Sequence, residues 1–150
     1  MSIAAGTLVY DRTARRAHQW TMAALVVVGL LLQGIPGALL LALAGAIMLA
    51  GRFWWPADVV RQFVWRVLEP AGILQRNDVQ EDHATRRIAR TLGGTIWLLA
   101  AAALLAGNPV LAWVLALPIA VMVALDASVD FCALCFVMAQ LERRGILRRA

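Results

Sequence analysis

The stretch TIWLLAAAALLAGNPVLAWVLALPIAVMVAL, residues 95–125, decides the fold. It holds no charged residue and is interrupted once, at Gly107-Asn108-Pro109. A helix rises ~1.5 Å per residue, so about 20 apolar residues cross the ~30 Å hydrocarbon core of a bilayer. With its flanks the stretch reads as two membrane spans, 88–107 and 110–130, joined by uncharged turn chemistry. The same pattern occurs upstream, where spans 17–35 and 37–55 meet at Gln33-Gly34-Ile35-Pro36-Gly37. The expectation is an all-α membrane protein, one domain over 1–150, with four transmembrane helices arranged as two tight hairpins.

Composition agrees. Hydrophobic residues make up 62% of the chain and charged residues 15%, against roughly 45–50% and about 25% in soluble domains. A mean hydropathy of +0.75 excludes a soluble globular domain, a disordered chain and a collagenous repeat. Two cysteines are too few for a disulfide-stapled secreted scaffold. The net charge of +5 reads as membrane orientation rather than as nucleic-acid binding, and no nucleic-acid partner is expected.

All 14 basic residues are arginines. Arg12, Arg15 and Arg16 precede the first span. Arg52, Arg61, Arg66, Arg76, Arg86, Arg87 and Arg90 lie around the central segment, and Arg143, Arg144, Arg148 and Arg149 lie in the tail. None remains for the two short connections. Positive charge stays on the cytoplasmic side, so both termini and the central segment are expected there. Arg15-Arg16 before an apolar run resembles a signal peptide, but the second span follows at once, with no polar mature domain behind it. Trp20, Trp54 and Trp55 fit the inner interface and Trp113 the outer one, while Trp97 lies mid-span as a packing residue.

Between the hairpins, Pro56 opens an expected amphipathic helix over 56–69. Val59, Val60, Phe63, Val64, Val67 and Leu68 form one face, and Asp58, Arg61, Gln62, Trp65 and Glu69 most of the other. Such a helix lies in the inner headgroup region with its arginines toward anionic lipid, or else docks a partner. Residues 70–85 read as a cytoplasmic loop and 139–150 as a cytoplasmic tail.

Chemistry centres on Phe131-Cys132-Ala133-Leu134-Cys135, the one reactive spacing in the chain. Counted from Val110, the pair falls at the inner end of the fourth span, facing a reducing cytosol where a permanent disulfide does not persist. A redox, sulfur-carrying or metal-binding dithiol and two cysteines that merely fill a helix interface are the readings left open. Asp126 and Asp130 precede the pair. Acids at that depth need a partner, and Arg90 at the inner end of the third span is the expected one, with Arg52 second. On an unbroken helix the two aspartates share a face and the cysteines line another. A break within 126–130 would instead let Asp130 cap a new helix, with Cys132 in a first turn whose dipole lowers a thiol pKa. Continuing unbroken to Arg144 would make the helix far longer than a bilayer is thick. His18 and His83 are the only histidines, and His83 lies in a polar stretch, so haem ligation is not expected. No phosphate loop, catalytic triad order or zinc spacing beyond the lone Cys pair is present, and neither a cofactor nor a metal is expected.

The chain resembles a family of small bacterial membrane proteins catalogued as domain of unknown function 4395. The resemblance rests on Asp11-Arg12 before the first span, Leu68-Glu69-Pro70, Ala89-Arg90-Thr91-Leu92-Gly93-Gly94, and Phe131-Cys132 with Cys135. The family commonly has glycine before the Phe and before the second Cys, where this chain has Asp130 and Leu134. The resemblance implies four spans and genes placed near thioredoxin-like or sulfurtransferase proteins, with no established activity.

The expected function is a membrane thiol-redox or sulfur-relay component serving a thioredoxin-like or rhodanese-like cytosolic partner. Cys132 would be the nucleophile, Cys135 the resolving thiol, and Asp130 a residue tuning the thiolate. Arg90 and Asp126 would form a structural ion pair. The alternatives are a non-enzymatic membrane subunit, a small-solute or metal transporter, or a bundle whose cysteines only pack.

Overall fold

A computed structural model describes residues 7–146. In chain order it contains β1 (Thr7–Asp11), α1 (Arg12–Leu32), α2 (Gly34–Phe53), α3 (Val59–Phe63), β2 (Asp78–Asp82), α4 (His83–Leu105), α5 (Pro109–Val129) and α6 (Ala133–Arg143). A 3₁₀ turn at Trp55–Ala57 precedes α3, and a π turn at Val64–Leu68 follows it. The four long helices form a ring in which α1 touches α2 and α5, and α4 touches α2 and α5.

Inside the ring the side chains are small. Ala38, Ala44, Ala100, Ala112, Ala116 and Ala120 are buried beside Met22, Leu41 and Trp97. Large apolar side chains point outward instead, Leu31 at 77% exposure and Leu39 and Val114 at 63%. Small residues inside and large ones outside suit helices surrounded by lipid, where close backbone approach replaces the hydrophobic drive to associate. The α2–α4 seam shows this directly. A Cβ added to Gly45 would lie 2.8 Å from the Gly94 carbonyl oxygen, so these backbones meet only because both positions are glycine.

Three helices are long and apolar enough to cross a membrane, over Gly34–Phe53, Thr85–Leu105 and Pro109–Val129. The first helix is not among them. Its opening turns carry Arg12, Arg15, Arg16, His18 and Gln19, which leaves a short apolar run from Met22 to Leu32. Gln33 alone separates α1 from α2, and its φ of 51° turns the chain there. Trp113 Nε1 donates to Gln33 Oε1 at 2.9 Å, tying α5 to that turn.

Two expectations are corrected. Residues 70–85 are not simply loop: β2 pairs antiparallel with β1, Thr7 opposite Asp82 and Asp11 opposite Asp78, and α4 begins at His83. The expected helix over 56–69 is broken into a 3₁₀ turn, α3 and a π turn, and it faces the other way. Asp58 and Arg61 are buried against the bundle, whereas Val59, Phe63 and Val67 are exposed. Burial is tolerated because the bundle offers those charges partners. Arg66 remains exposed.

Candidate functional site at the arginine-rich end

Every charged side chain of α1, α2 and α5 lies at one end of the ring, as do the arginines of α4. The opposite end holds the uncharged turns at Gln33 and Asn108. Four aspartates organise the charged end.

Asp11 starts it. It caps α1 by accepting from the Thr13 amide at 3.0 Å, takes the Trp65 indole N–H at 2.8 Å and accepts from the Asn77 amide at 3.3 Å. One carboxylate thus joins the ribbon, the π turn and α1. Burial alone would raise its pKa, but these donors reverse that and hold it below the usual carboxyl value.

Asp58 is the most deeply engaged. Arg90 Nη2 donates to its Oδ2 at 2.8 Å, Arg61 Nε lies 3.2 Å away, and His18 Nδ1 stands 3.0 Å from its Oδ1. Arg90 also reaches His18 Nε2 at 3.2 Å. A guanidinium can only donate, so Nε2 must carry its lone pair and the ring proton sits on Nδ1, toward Asp58. His18 is therefore a neutral bridge between α1, α4 and the segment before α3. Burial pushes the Asp58 carboxyl up, but the close His18 ring and the charges of Arg90 and Arg61 prevail and hold it well below the usual range.

Asp126 accepts from Arg86 Nη1 at 3.0 Å and from the Gln19 amide. Asp130 takes Arg15 at 2.6 Å, Arg16 at 2.7 Å and Arg12. Its pKa is lowered; burial opposes the shift, but hydrogen bonds from Arg12 and Arg16 outweigh it.

The expected Arg90–Asp126 pair is thus corrected. Arg90 belongs to Asp58, and Asp126 to Arg86, one helical turn earlier on the same face of α4. Arg52 bonds Thr91 Oγ1 through Nε at 3.1 Å and lies over the Phe53 ring. Three residues went unnoticed as partners in the sequence: His18, Gln19 and Asp58. A polar residue within an apolar helix start is the signal that could have marked the first two.

The fourth long helix does break within 126–130. Asp130 has φ 56° and ψ 27°, the left-handed region, and ends α5. Glycine adopts that conformation without strain, and Asp is one of the few other residues that tolerate it. Asp130 does not cap the new helix: Cys132 is the residue before it, and its carbonyl accepts the first helical bond, from the Phe136 amide at 3.0 Å. Asp130 instead holds three arginines of α1. Replacing it by glycine should remove the carboxylate and keep the turn, whereas alanine should lose both. Thermal unfolding in detergent should therefore place the alanine variant below the glycine variant by about 1–2 kcal/mol.

Cys132 is half-buried and lines a cavity of about 450 Å³ together with Arg15, Arg61, Arg86, Arg90 and Asp126. Cys135 is the third residue of α6, and its side chain lies outside the described residues, as does that of His83. Among the described residues, no three His, Cys, Asp or Glu side chains converge as metal ligands. Cys132 thus sits just before the first residue of α6, on the same cavity wall as the arginines.

Residues 10–143 match the model of a family described as Domain of unknown function (DUF4395). No curated protein and no solved structure matches the chain.

Proposed function

The chain belongs to the DUF4395 family, and from that premise we propose that it is a membrane thiol relay whose working pair is Cys132 and Cys135. The observation that carries the reading is the placement of Cys132 at the N-cap of α6, on the wall of the arginine-lined cavity. α1 serves as a fourth span beside the three apolar helices, the helices form two hairpins, and both termini face the cytoplasm of a bacterium. The distribution of arginine supports that orientation.

Exchange with a partner disulfide then runs in two steps. The Cys132 thiolate attacks one partner sulfur, and the other partner sulfur leaves as a thiolate. Cys135, once deprotonated, attacks Cys132 in the mixed disulfide and releases the partner as a dithiol, so two electrons pass from the pair to the partner. A thioredoxin-like cytosolic protein has the disulfide for this exchange. A rhodanese-like partner would instead offer a persulfide, whose outer sulfur the Cys132 thiolate takes while the partner's cysteine leaves as a thiolate. Asp130 acts as a positioning residue: it fixes the break that ends α5 and gathers Arg12, Arg15 and Arg16 near the start of α6. A second reading, a small-solute transporter or non-enzymatic subunit, draws on the same cavity and needs no reactive thiol.

A membrane-impermeant maleimide tests orientation and reactivity together. Inverted vesicles should be labelled at Cys132 and intact cells protected. Labelling should remain substantial one pH unit below the ordinary thiol pKa of ~8.5. Labelling of intact cells, or none in vesicles at any pH, would contradict the reading.

A further inference from the structure

The cavity at the charged end combines two unlike surfaces. Part of its lining is apolar, built from Met22, Met48, Ile96, Ile119 and Val123 with the half-exposed Met122. Among the described residues the lining also carries six arginines, Arg15, Arg52, Arg61, Arg86, Arg87 and Arg90, against one carboxylate, Asp126. Asp58 and Asp130 behind the wall neutralise part of this charge through Arg61, Arg90 and Arg15. Neither Arg52 nor Arg87 has a carboxylate partner among the described residues. Both line the cavity, Arg52 half-buried with its Nε on Thr91 Oγ1 and Arg87 exposed one helical turn before Thr91. The Arg90 Nε–H is also buried without an acceptor among the described residues. Surplus cations at the rim of an apolar chamber are costly unless an anion meets them. A volume of about 450 Å³ lies within the range of small-molecule sites.

We propose that this cavity binds an amphiphilic anion, its phosphate or carboxylate head on Arg52, Arg87 and Arg90 and its apolar body against Met22, Met48 and Met122. The inference does not depend on the thiol reading. Two sources supply this chemistry, an anionic phospholipid of the surrounding leaflet and a soluble single-chain anion, and the methionine-rich wall adapts to either.

The test is native mass spectrometry of the full chain released from dodecyl maltoside micelles, with decyl phosphate as the probe. One saturable decyl phosphate per chain is expected. Inorganic phosphate and decanol, each holding half of the chemistry, should bind at least tenfold more weakly. The double variant Arg52→Gln/Arg87→Gln should also lose at least tenfold, and Arg52→Lys/Arg87→Lys should recover part of it. Met122→Trp, which fills the apolar wall and leaves every arginine in place, should weaken binding too and guards against a double variant that fails to fold. Cys135→Ser, which removes the resolving thiol of the relay, should bind as the parent does, so loss of thiol function and loss of this site stay distinguishable. Phosphatidylglycerol that competes for the site identifies the lipid source, and a soluble source leaves decyl phosphate undisplaced. Equal binding of decyl phosphate by the parent, the glutamine double variant and Met122→Trp, or equal binding of decanol, would overturn the proposal.

Discussion

Asp58→Ala is expected to destabilise the protein by about 3–5 kcal/mol, the cost of removing one partner from a buried charge cluster. The substitution leaves Arg61 and Arg90 facing each other without an anion and removes the acceptor that the His18 ring faces. Asp58→Asn keeps the shape and an acceptor oxygen and should lose less. The pH dependence has a definite sign. A carboxyl whose folded pKa lies below its unfolded value contributes fully at neutral pH, and that contribution is lost as pH falls below the ordinary 3.8. Thermal unfolding in detergent at pH 7 and pH 3 should show the parent losing stability in acid and Asp58→Asn losing distinctly less. Equal acid sensitivity would mean that the charge on Asp58 does not hold the bundle.

Trp97→Ala is the second large effect. Trp97 is fully buried at the centre of the ring, and its Nε1–H donates to the Ala116 carbonyl at 3.2 Å, linking α4 to α5. Truncation leaves a void among alanines that have no side chain to fill it. Large aromatic deletions cost about 3–5 kcal/mol in soluble cores. Here the lower end applies, because lipid tails are as apolar as the interior and the loss is one of packing and of one hydrogen bond. Trp97→Phe should retain most of the packing and forfeit the hydrogen bond, about 1 kcal/mol. A Trp97→Ala variant that unfolds with the parent would show that the ring collapses around the gap.

The long helices were legible in the sequence because a bilayer imposes a length and a composition that residues 95–125 satisfy without interruption. The charged end was legible as well, since arginine sits at the start of α1, the end of α2, the start of α4 and the end of α6, and none lies at the short turns. The pairing within that end was not. Arg86 and Arg90 occupy one face of α4 a turn apart, and spacing alone cannot say which meets Asp126. The answer depends on Asp58, which reaches the bundle only because the chain after α2 folds back instead of running out along the headgroups. The ribbon was hidden for a related reason. Asp78-Val79-Gln80-Glu81-Asp82 is poor in strand-forming residues, and its partner β1 lies before the first helix. At the thiol pair, the break near Asp130 was readable from helix length. The left-handed turn at Asp130 was not legible; it is made by an aspartate held by three arginines from the far end of the chain.

The most direct test of the relay is a trap. Cells expressing the Cys135→Ser chain are quenched in acid, alkylated and resolved without reductant. With the resolving thiol gone, Cys132 should be caught in a mixed disulfide with a cytosolic protein, a species that reductant dissolves and that Cys132→Ser/Cys135→Ser does not form. No reductant-sensitive species in Cys135→Ser, or the same species in the double variant, would contradict the relay and leave the cysteines as packing residues of α6.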